Sequence, residues 1–266
     1  MTSALPALVE RLSQIRLLKA NIIPWSSPIP SFGDLSRARV ATLGLNPSNR
    51  EFVDNSGNEL VDTARRFHTL RSLGLARWCD IKARHLRLIW DSCRTYFSRN
   101  PYDAWFKQLE HLIGETRTSY YNGSEAACHV DLIPYATACK WTGLSHHQRS
   151  YLFYQAGDTL GLLLRDSPVQ LLILNGSSVV ANFEKIAGIQ LDRQIMHDWM
   201  LRRHSHSNIM GVAYAGTVHE LSGIKLKRGL MVLGFNHNIQ SSFGVTREVR
   251  ASIRKWIGQN ANELWS

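Results

Sequence analysis

The chain has 266 residues, of which 44% are hydrophobic and 20% are charged. This balance excludes collagenous, low-complexity and largely disordered proteins. The longest apolar runs, such as Leu171–Leu174, fall far short of the roughly 20 residues that a membrane span needs. The N-terminus also lacks a basic segment followed by an unbroken apolar run. We therefore expect a soluble globular protein without a membrane partner.

The charge balance indicates a polyanionic partner. Lys and Arg total 31 and Asp and Glu total 21, which gives a formal net charge of +10 that no single tail holds. Many nucleic-acid-binding proteins are basic in this way, although charge by itself does not establish binding. The cysteines, Cys79, Cys93, Cys128 and Cys139, follow no paired C-x-x-C spacing. We therefore expect reduced thiols, a cytoplasmic location, and no metal or iron–sulfur cluster.

The predicted elements begin with an N-terminal region, residues 1–36, that forms a helix and an extended arm. The helix covers Leu5–Ala20 and cannot continue because Pro24, Pro28 and Pro30 follow it. Four apolar runs predict strands, each ending in a polar loop: Val40–Leu43, Cys128–Ile133, Val169–Leu174 and Leu230–Phe235. Helices are predicted for Arg65–Leu75, Ala83–Phe97, Tyr102–Ile113, Ser145–Leu164, the stretch after Ser178, and Thr246–Ile257.

Strands that alternate with helices predict an α/β fold. We expect a three-layer sandwich in which helices flank a central, mostly parallel four-stranded sheet. The sequence has no internal repeat, long linker or shift in composition, so we expect a single domain, 1–266. In sheets of this kind ligands bind beyond the carboxyl ends of the strands. The four loops should therefore converge on one cleft.

Two of these loops carry side chains suited to catalysis. Gly44-Leu45-Asn46-Pro47 follows the first predicted strand, and Asn236-His237-Asn238 follows the fourth. With Leu171–Ser177 between them, the motifs resemble those of the uracil-DNA glycosylase superfamily, whose G-x-[D/N]-P loop the first motif matches in its Asn-bearing form. The family continues its His motif as H-P-S-P-L-S, whereas Asn238–Ser242 stand here instead. The resemblance covers about Arg39–Trp256 as short ordered motifs, and it implies a uracil-DNA glycosylase-like fold acting on DNA.

The resemblance implies that Asn46 and His237 are the catalytic residues. Cleavage of the bond between a sugar C1′ and a base nitrogen passes through an oxocarbenium-like state. The enzyme must therefore hold a water below the sugar and stabilise charge on the departing base. Asn46 suits the first task and His237 the second. The alternatives are that Asn46 is only a turn residue and that His237 is a hydrogen-bonded surface histidine.

Further residues are assigned to the base and to the DNA strand. The base must leave the stack before its bond can be reached, and Phe52 matches the aromatic that stacks on it in the family, with core packing as the alternative. Asn175, at the end of the third strand, is a second candidate for base binding. We expect DNA contacts from Ser48, Lys140, Asn238, Gln240, Ser241, Ser242 and Arg247. The two serines could equally cap the last helix.

Asp131 is the most informative departure from the family, which places there an Asn that reads uracil. An ionised Asp only accepts hydrogen bonds, so it would repel the O4 of uracil and accept from the N4 amine of cytosine. A protonated Asp131 would in addition donate to cytosine N3. The alternative is that Asp131 ties down a neighbouring loop.

These features predict a monofunctional DNA glycosylase that leaves an abasic site and needs neither a cofactor nor an obligate protein partner. Excision of ordinary cytosine would destroy the host genome, so we expect a modified base such as the glucosylated hydroxymethylcytosine of some phages. The segment from Asn46 through Arg65 to Leu75, together with the motifs Tyr135–Trp141 and Asn236–Gly244, resembles a bacterial branch proposed to act in anti-phage defence. Sugar contacts are expected from Asn49, Glu51, Asp54 and Asn58.

Two other functions remain open: a uracil or mismatch glycosylase in base-excision repair, and a non-catalytic DNA-binding protein on the same scaffold. A metal role for His204 and His206 is disfavoured because no acidic or Cys motif accompanies them.

Overall fold

A computed structural model of the chain describes residues 4–14, 17, 19–100, 104–122, 125–202, 207–240 and 244–262. The helices are α1 (Ala4–Leu12), α2 (Ala83–Arg94), α3 (Tyr96–Arg99), α4 (Ala104–Ile113), α5 (His146–Ala156), α6 (Thr159–Leu164), α7 (Ser177–Ala187) and α8 (Arg247–Asn262). The strands are β1 (Val40–Gly44), β2 (Ala127–Asp131), β3 (Leu171–Asn175), β4 (Asp192–Leu201), β5 (Ile209–Leu221) and β6 (Ile224–Phe235).

The strands form one six-stranded sheet in the order β2-β1-β3-β6-β5-β4. β2, β1, β3 and β6 pair in parallel, whereas β5 pairs antiparallel with β6 and with β4. The α/β class is confirmed, and the prediction of a four-stranded, mostly parallel sheet is wrong. The four predicted strands are present, and two antiparallel strands extend the sheet beyond β6.

Of the two missed strands, β4 lacks the apolar run by which the other strands were recognised, whereas β5 begins with one, Ile209–Gly216, that was not assigned to a strand. β4 lies at the edge of the sheet, and most of its residues are exposed. A strand with little buried surface shows no hydrophobic pattern. β5 and β6 form a hairpin across Ser222-Gly223, whose φ angles are +49° and +78°. A Ser-Gly pair flanked by strands was the sequence signal that could have revealed this hairpin.

The sheet separates two layers of buried side chains. One cluster joins Leu43 and Val130 of the sheet to α1, α5, α6 and α7, and the other joins Val40 and Ile173 to α4 and α8. Residues of β1, β2, β3 and β6 alternate between the clusters, as the two-residue repeat of a strand requires. The sheet is therefore covered by helices on both faces. Within the described residues, no helix combines the length and the apolar character needed to cross a membrane.

Two predicted helices differ from the structure. The helix predicted over Leu5–Ala20 ends at Leu12. The one predicted over Arg65–Leu75 is absent, and only short 3-10 turns occur there, at Asp62–Ala64 and Arg71–Leu73. Thr69 and Ser72 exchange hydrogen bonds between each hydroxyl and the other's backbone N–H. Such bonds compete with the helical ladder.

The other predicted helices are present. The helix predicted over Ser145–Leu164 is divided between α5 and α6, with Ser145 capping α5. The arm after α1 runs beside the parallel strands, and its Phe32 bridges His129 of β2.

Candidate active site at the carboxyl edge of the sheet

The four parallel strands end at one edge and bring their loops together. Gly44 is paired with Asp131, and Asn175 with Phe235. β3 lies between β1 and β6, so the ends of β1 and β6 are two strand spacings apart, about 10 Å. Asn46 and His237 each follow one of these ends by two residues. Both predicted catalytic residues are thus at this edge.

Asn46 is half-buried, and its amide is held by the loop that follows β2. Nδ2 donates to Thr137 Oγ1 at 3.0 Å and to Pro47 O at 3.1 Å. The hydroxyl of Thr137 in turn donates to Cys139 O at 2.7 Å. Because that hydroxyl has only one proton, Thr137 Oγ1 must accept from Asn46. The orientation of the Asn46 amide follows from this chain of bonds.

The other end of the Asn46 amide is available to a ligand. No described residue donates a hydrogen bond to its Oδ1. A carbonyl oxygen in this position can accept from a water and orient it, which is the chemical role predicted for Asn46. Thr137 is the positioning residue that the sequence analysis missed, and nothing in its local sequence marks it.

Asp131 is buried, at 4% exposure, and lies across the end of β1. A Cβ placed on Gly44 would stand 2.3 Å from Asp131 Oδ1 and 2.9 Å from His129 Nε2. Only glycine therefore permits both side chains to cross β1 at this point. Asp131 Oδ1 is 3.5 Å from His129 Nε2. The carboxylate is thus placed next to the residues that lead into Asn46.

A buried polar chain continues from His129 away from the edge. Its Nδ1 is 2.7 Å from Thr42 Oγ1, which is 2.5 Å from the hydroxyl of Tyr120. Burial raises the pKa of Tyr120 well above its usual range, so the phenol stays protonated. His129 and Asp131 are two residues apart in a strand and share a face, which is a signal that the sequence contained.

His237 is turned into the protein. It is 2% exposed, and its Nε2 lies 2.6 Å from the carbonyl oxygen of Trp199 on β4. A carbonyl can only accept, so Nε2 carries the proton. Burial lowers the pKa of His237, which keeps the imidazole neutral. In this conformation the proton expected to stabilise a departing base is bound to the backbone of β4.

The loop after β6 is closed by contacts with Asn175 of β3. Asn175 donates from Nδ2 to Gln240 Oε1 and accepts at Oδ1 from the N–H of Ile239, at 3.0 Å. Gln240 also donates from Nε2 to Trp105 O at 3.3 Å, and Asn238 accepts from the N–H of Gln240 at 3.0 Å. The side chains predicted to contact base or DNA here make hydrogen bonds within the protein.

Two aromatic residues near the edge differ in exposure. Phe52 is 1% exposed and packs edge-on against Trp25, with ring centroids 6.2 Å apart. Trp105, near the start of α4, is 49% exposed and contacts the loop after β6 through its carbonyl. Trp105 was not singled out from the sequence. An exposed indole beside a site loop is suited to stacking on an unpaired base.

The remaining predicted DNA contacts lie around the edge. Ser48, Lys140 and Arg247 are exposed. Ser48 Oγ accepts from the N–H of Arg50 at 3.2 Å and caps a short 3-10 turn. Ser241 and Ser242 lie outside the described residues.

The segment that follows Asn46 uses its acidic groups internally. Glu51 is buried, accepts from the hydroxyl of Tyr96 at 3.1 Å and pairs with Arg66 at 3.4 Å. Asp54 accepts from the N–H groups of Ser56 and Asn58. Two open depressions, of about 240 and 360 Å³, flank Leu60 on this segment. The two carboxylates predicted to contact a sugar thus shape this segment in the present conformation.

The part of the chain that the structure describes contains no group of three or more His, Cys, Asp or Glu side chains arranged for a metal ion. His204 and His206 lie outside it. All four cysteines are free thiols.

Comparisons with known proteins assign no family to the chain. A scan against models of protein families finds no match, and a search of curated proteins finds no significant relative. Functional inference therefore depends on the geometry at the carboxyl edge of the sheet and on the motifs that form it.

Proposed function

We propose that the chain is a monofunctional DNA glycosylase that flips a modified base and hydrolyses its N-glycosidic bond. The base we favour is a hypermodified cytosine of phage DNA, and the biological role we favour is anti-phage defence. The observation that carries the proposal is the fixed amide of Asn46. Thr137 holds Nδ2, which leaves Oδ1 as an acceptor at the strand end that Asp131 crosses.

The chemistry of this pair supports hydrolysis rather than covalent catalysis. An amide is a poor base, so Asn46 would act by orienting water, and most of the acceleration would come from positioning and electrostatics. Asp131 is the adjacent group that can read the edge of a base. A carboxylate accepts from the N4 amine of cytosine, and in base recognition such contacts discriminate by about 1 to 3 kcal/mol.

The charge and the exposed side chains support DNA as the partner. The net charge is +10, and Lys140 and Arg247 stand exposed in elements that flank the edge. Trp105 adds an exposed aromatic surface beside the loop after β6. Basic groups interleaved with an aromatic are typical of surfaces that hold an unpaired strand.

One observation favours the non-catalytic alternative. The Nε2 proton of His237 is bound to Trp199 O, so a catalytic His237 must exchange this bond for one to the base. A protein that bound DNA without cleaving it would need no such exchange. Catalytic hydrogen bonds often form only in the substrate complex, so both functions are tested together.

The test is abasic-site formation under single-turnover conditions. Duplex and single-stranded oligonucleotides would each carry uracil, a mismatched thymine, cytosine, hydroxymethylcytosine or glucosylated hydroxymethylcytosine. Mass spectrometry would identify the released base, and alkaline cleavage would count abasic sites. We expect release of a modified cytosine by the wild type. Preference for uracil or thymine would establish the repair alternative, and DNA binding without release of any base would establish the non-catalytic one.

A further inference from the structure

The polar chain beneath the carboxyl edge links a buried tyrosine to the candidate base-reading residue. It runs Tyr120, Thr42, His129, Asp131, with contacts of 2.5, 2.7 and 3.5 Å. All four residues are at most 7% exposed. Phe32 and Phe106 pack on the His129 ring, with centroids 5.6 and 5.2 Å away. Polar groups in such surroundings are costly unless each donor has an acceptor.

The number of protons on these four side chains determines the direction in which their hydrogen bonds run. In one direction, Tyr120 donates to Thr42 and Thr42 donates to His129 Nδ1. The remaining His129 proton is then on Nε2, which faces Asp131 Oδ1 across a longer contact of 3.5 Å, so each proton of the series faces an acceptor. In the reverse direction, a protonated Asp131 donates to Nε2, Nδ1–H donates to Thr42, and Thr42 donates to Tyr120. The phenol proton then has no acceptor among the described residues. The first direction is favoured because an unsatisfied buried donor costs about 1 to 3 kcal/mol.

We propose that His129, oriented by Thr42 and Tyr120, is a positioning residue that fixes Asp131 as a hydrogen-bond acceptor and thereby selects bases with an exocyclic amine at the 4-position. The role in base selection rests on the proposed glycosylase function. The series of contacts Tyr120, Thr42, His129 and Asp131, called the relay below, is a property of the free protein. An Nε2–H group on His129 makes the facing Asp131 oxygen an acceptor, which is one of the two roles that the sequence left open.

Gly44 makes the placement of the carboxylate specific. The missing Cβ is what allows Asp131 Oδ1 to lie over β1. A methyl group there would displace the carboxylate and press on His129 without removing any polar group. Gly44 is the last residue of β1, and its φ is not among the positive values found in the chain. Alanine therefore suits its backbone.

The first experiment measures the His129 tautomer in the free protein by nitrogen-15 NMR. We expect a neutral ring with the proton on Nε2 and an unprotonated Nδ1. A neutral ring protonated at Nδ1, or a doubly protonated ring, would overturn the relay. The assignment would use a His129→Gln sample, which removes only the relevant signal.

The second experiment measures the ratio of excision rates on modified cytosine and uracil. We expect Gly44→Ala and His129→Leu to lower this ratio by about tenfold or more, the size of a lost base-edge contact. His129→Gln keeps an amide donor toward Asp131, and we expect it to recover part of the ratio. Thermal unfolding would confirm that each variant is folded. If His129→Leu fails to fold, Gly44→Ala and the smaller change Thr42→Val, which removes the donor to Nδ1, carry the test.

A matched control separates relay effects from general loss of a buried hydroxyl. Thr116→Val removes a hydroxyl that is equally buried and bonded elsewhere, to Ile113 O. We expect this variant to leave the ratio unchanged. Folded relay variants with an unchanged ratio would overturn the base-selecting role. Absence of excision on every base, together with the Nε2–H tautomer, would refute the glycosylase function and base selection while leaving the relay established.

Discussion

The loops after β1 and after β6 lie at the same edge of the sheet, yet their polar side chains differ in how they are hydrogen-bonded. After β1, Asn46 is held through Nδ2, and no described residue donates to its Oδ1. After β6, His237 binds the backbone of β4, and Asn175 and Gln240 bind each other. The first loop offers an acceptor to a ligand, whereas the second is closed by internal hydrogen bonds.

The difference indicates where binding energy would be used. An oriented acceptor that is already in place needs no reorganisation when a ligand arrives, and this is the condition for electrostatic and positional catalysis. The loop after β6 must first give up internal hydrogen bonds if His237 is to reach a base. We therefore expect substitutions after β1 to affect chemistry and substitutions after β6 to affect folding and DNA binding.

The largest effect is expected from Asn46→Ala. The variant loses the acceptor that orients water, and we expect single-turnover excision to fall by about a hundredfold or more while DNA binding is kept. Asn182→Ala is the control, since it removes an amide that donates to Ser178 O within its own helix and has no assigned role at the site. Near wild-type excision by Asn46→Ala would show that the open acceptor is not catalytic.

Asp131→Asn tests the reading of the base at the end of β2, where Asp131 is paired with Gly44 of β1. An amide can turn to suit a carbonyl, so the variant should lose about 1 to 3 kcal/mol of preference for amine-bearing bases. That corresponds to a tenfold to more than hundredfold change in the ratio of excision rates on cytosine-type and uracil-type bases. Wild type and variant would be assayed side by side. A wild-type preference for uracil would remove the cytosine hypothesis and favour a repair function.

Asn175→Ala tests whether the loop after β6 is stabilised as the hydrogen bonds indicate. It removes the acceptor of Ile239 N–H and the donor to Gln240, and we expect a loss of about 1 to 3 kcal/mol in the free energy of unfolding. Urea denaturation would measure it. Asn182→Ala on α7, whose amide binds Ser178 O within its own helix, should have a smaller effect. Equal effects of the two variants would contradict the closed-loop description.

The pH dependence of the free energy of unfolding tests whether His237, in the loop after β6, is buried and neutral. Burial lowers the pKa of His237 below 6.5 in the folded state. Below pH 6.5 the unfolded chain therefore binds a proton at His237 more readily than the folded protein does. The stability that the neutral, buried His237 contributes is present above pH 6.5 and is lost as pH falls through the pKa of His237 in the folded protein. The slope from one histidine is at most about 1.4 kcal/mol per pH unit.

Denaturation of wild type and His237→Gln between pH 7.5 and pH 5, measured in parallel, would check the effect of this histidine. The difference between the two proteins in free energy of unfolding should shrink as pH falls. His68 titrates separately, since burial lowers its pKa to about 4, and it remains in both proteins. A difference that does not depend on pH would contradict the neutral, buried His237.

The smallest effects are expected from the exposed cations beside the two loops. Lys140 is adjacent to the loop after β1, and Arg247 begins the helix that follows the loop after β6. If both contact phosphates, Lys140→Ala and Arg247→Ala should each lower the slope of log affinity against log salt by about 1. Exposed Arg77, on the segment between β1 and α2, offers a control. A wild-type affinity that hardly changes with salt would argue against DNA as the partner.

The sequence by itself was sufficient for the parallel part of the sheet and for the meeting of its strand-end loops at one edge. β1, β2, β3 and β6 contain continuous apolar runs because parallel strands in this sheet are buried on both faces. Their polar ends meet because parallel strands share one carboxyl edge. Asn46, Asp131, Asn175 and His237 could therefore be placed together without coordinates.

Only the tertiary structure decided how those residues are used. β4 was missed because an exposed edge strand has no apolar period, and the helix predicted over Arg65–Leu75 was overridden by the hydrogen bonds of Thr69 and Ser72. The amide orientation of Asn46 depends on Thr137, and the direction of the Asp131 chain depends on Thr42 and Tyr120. These partners are distant in sequence, and hydrogen-bond direction depends on which groups meet in space rather than on local pattern.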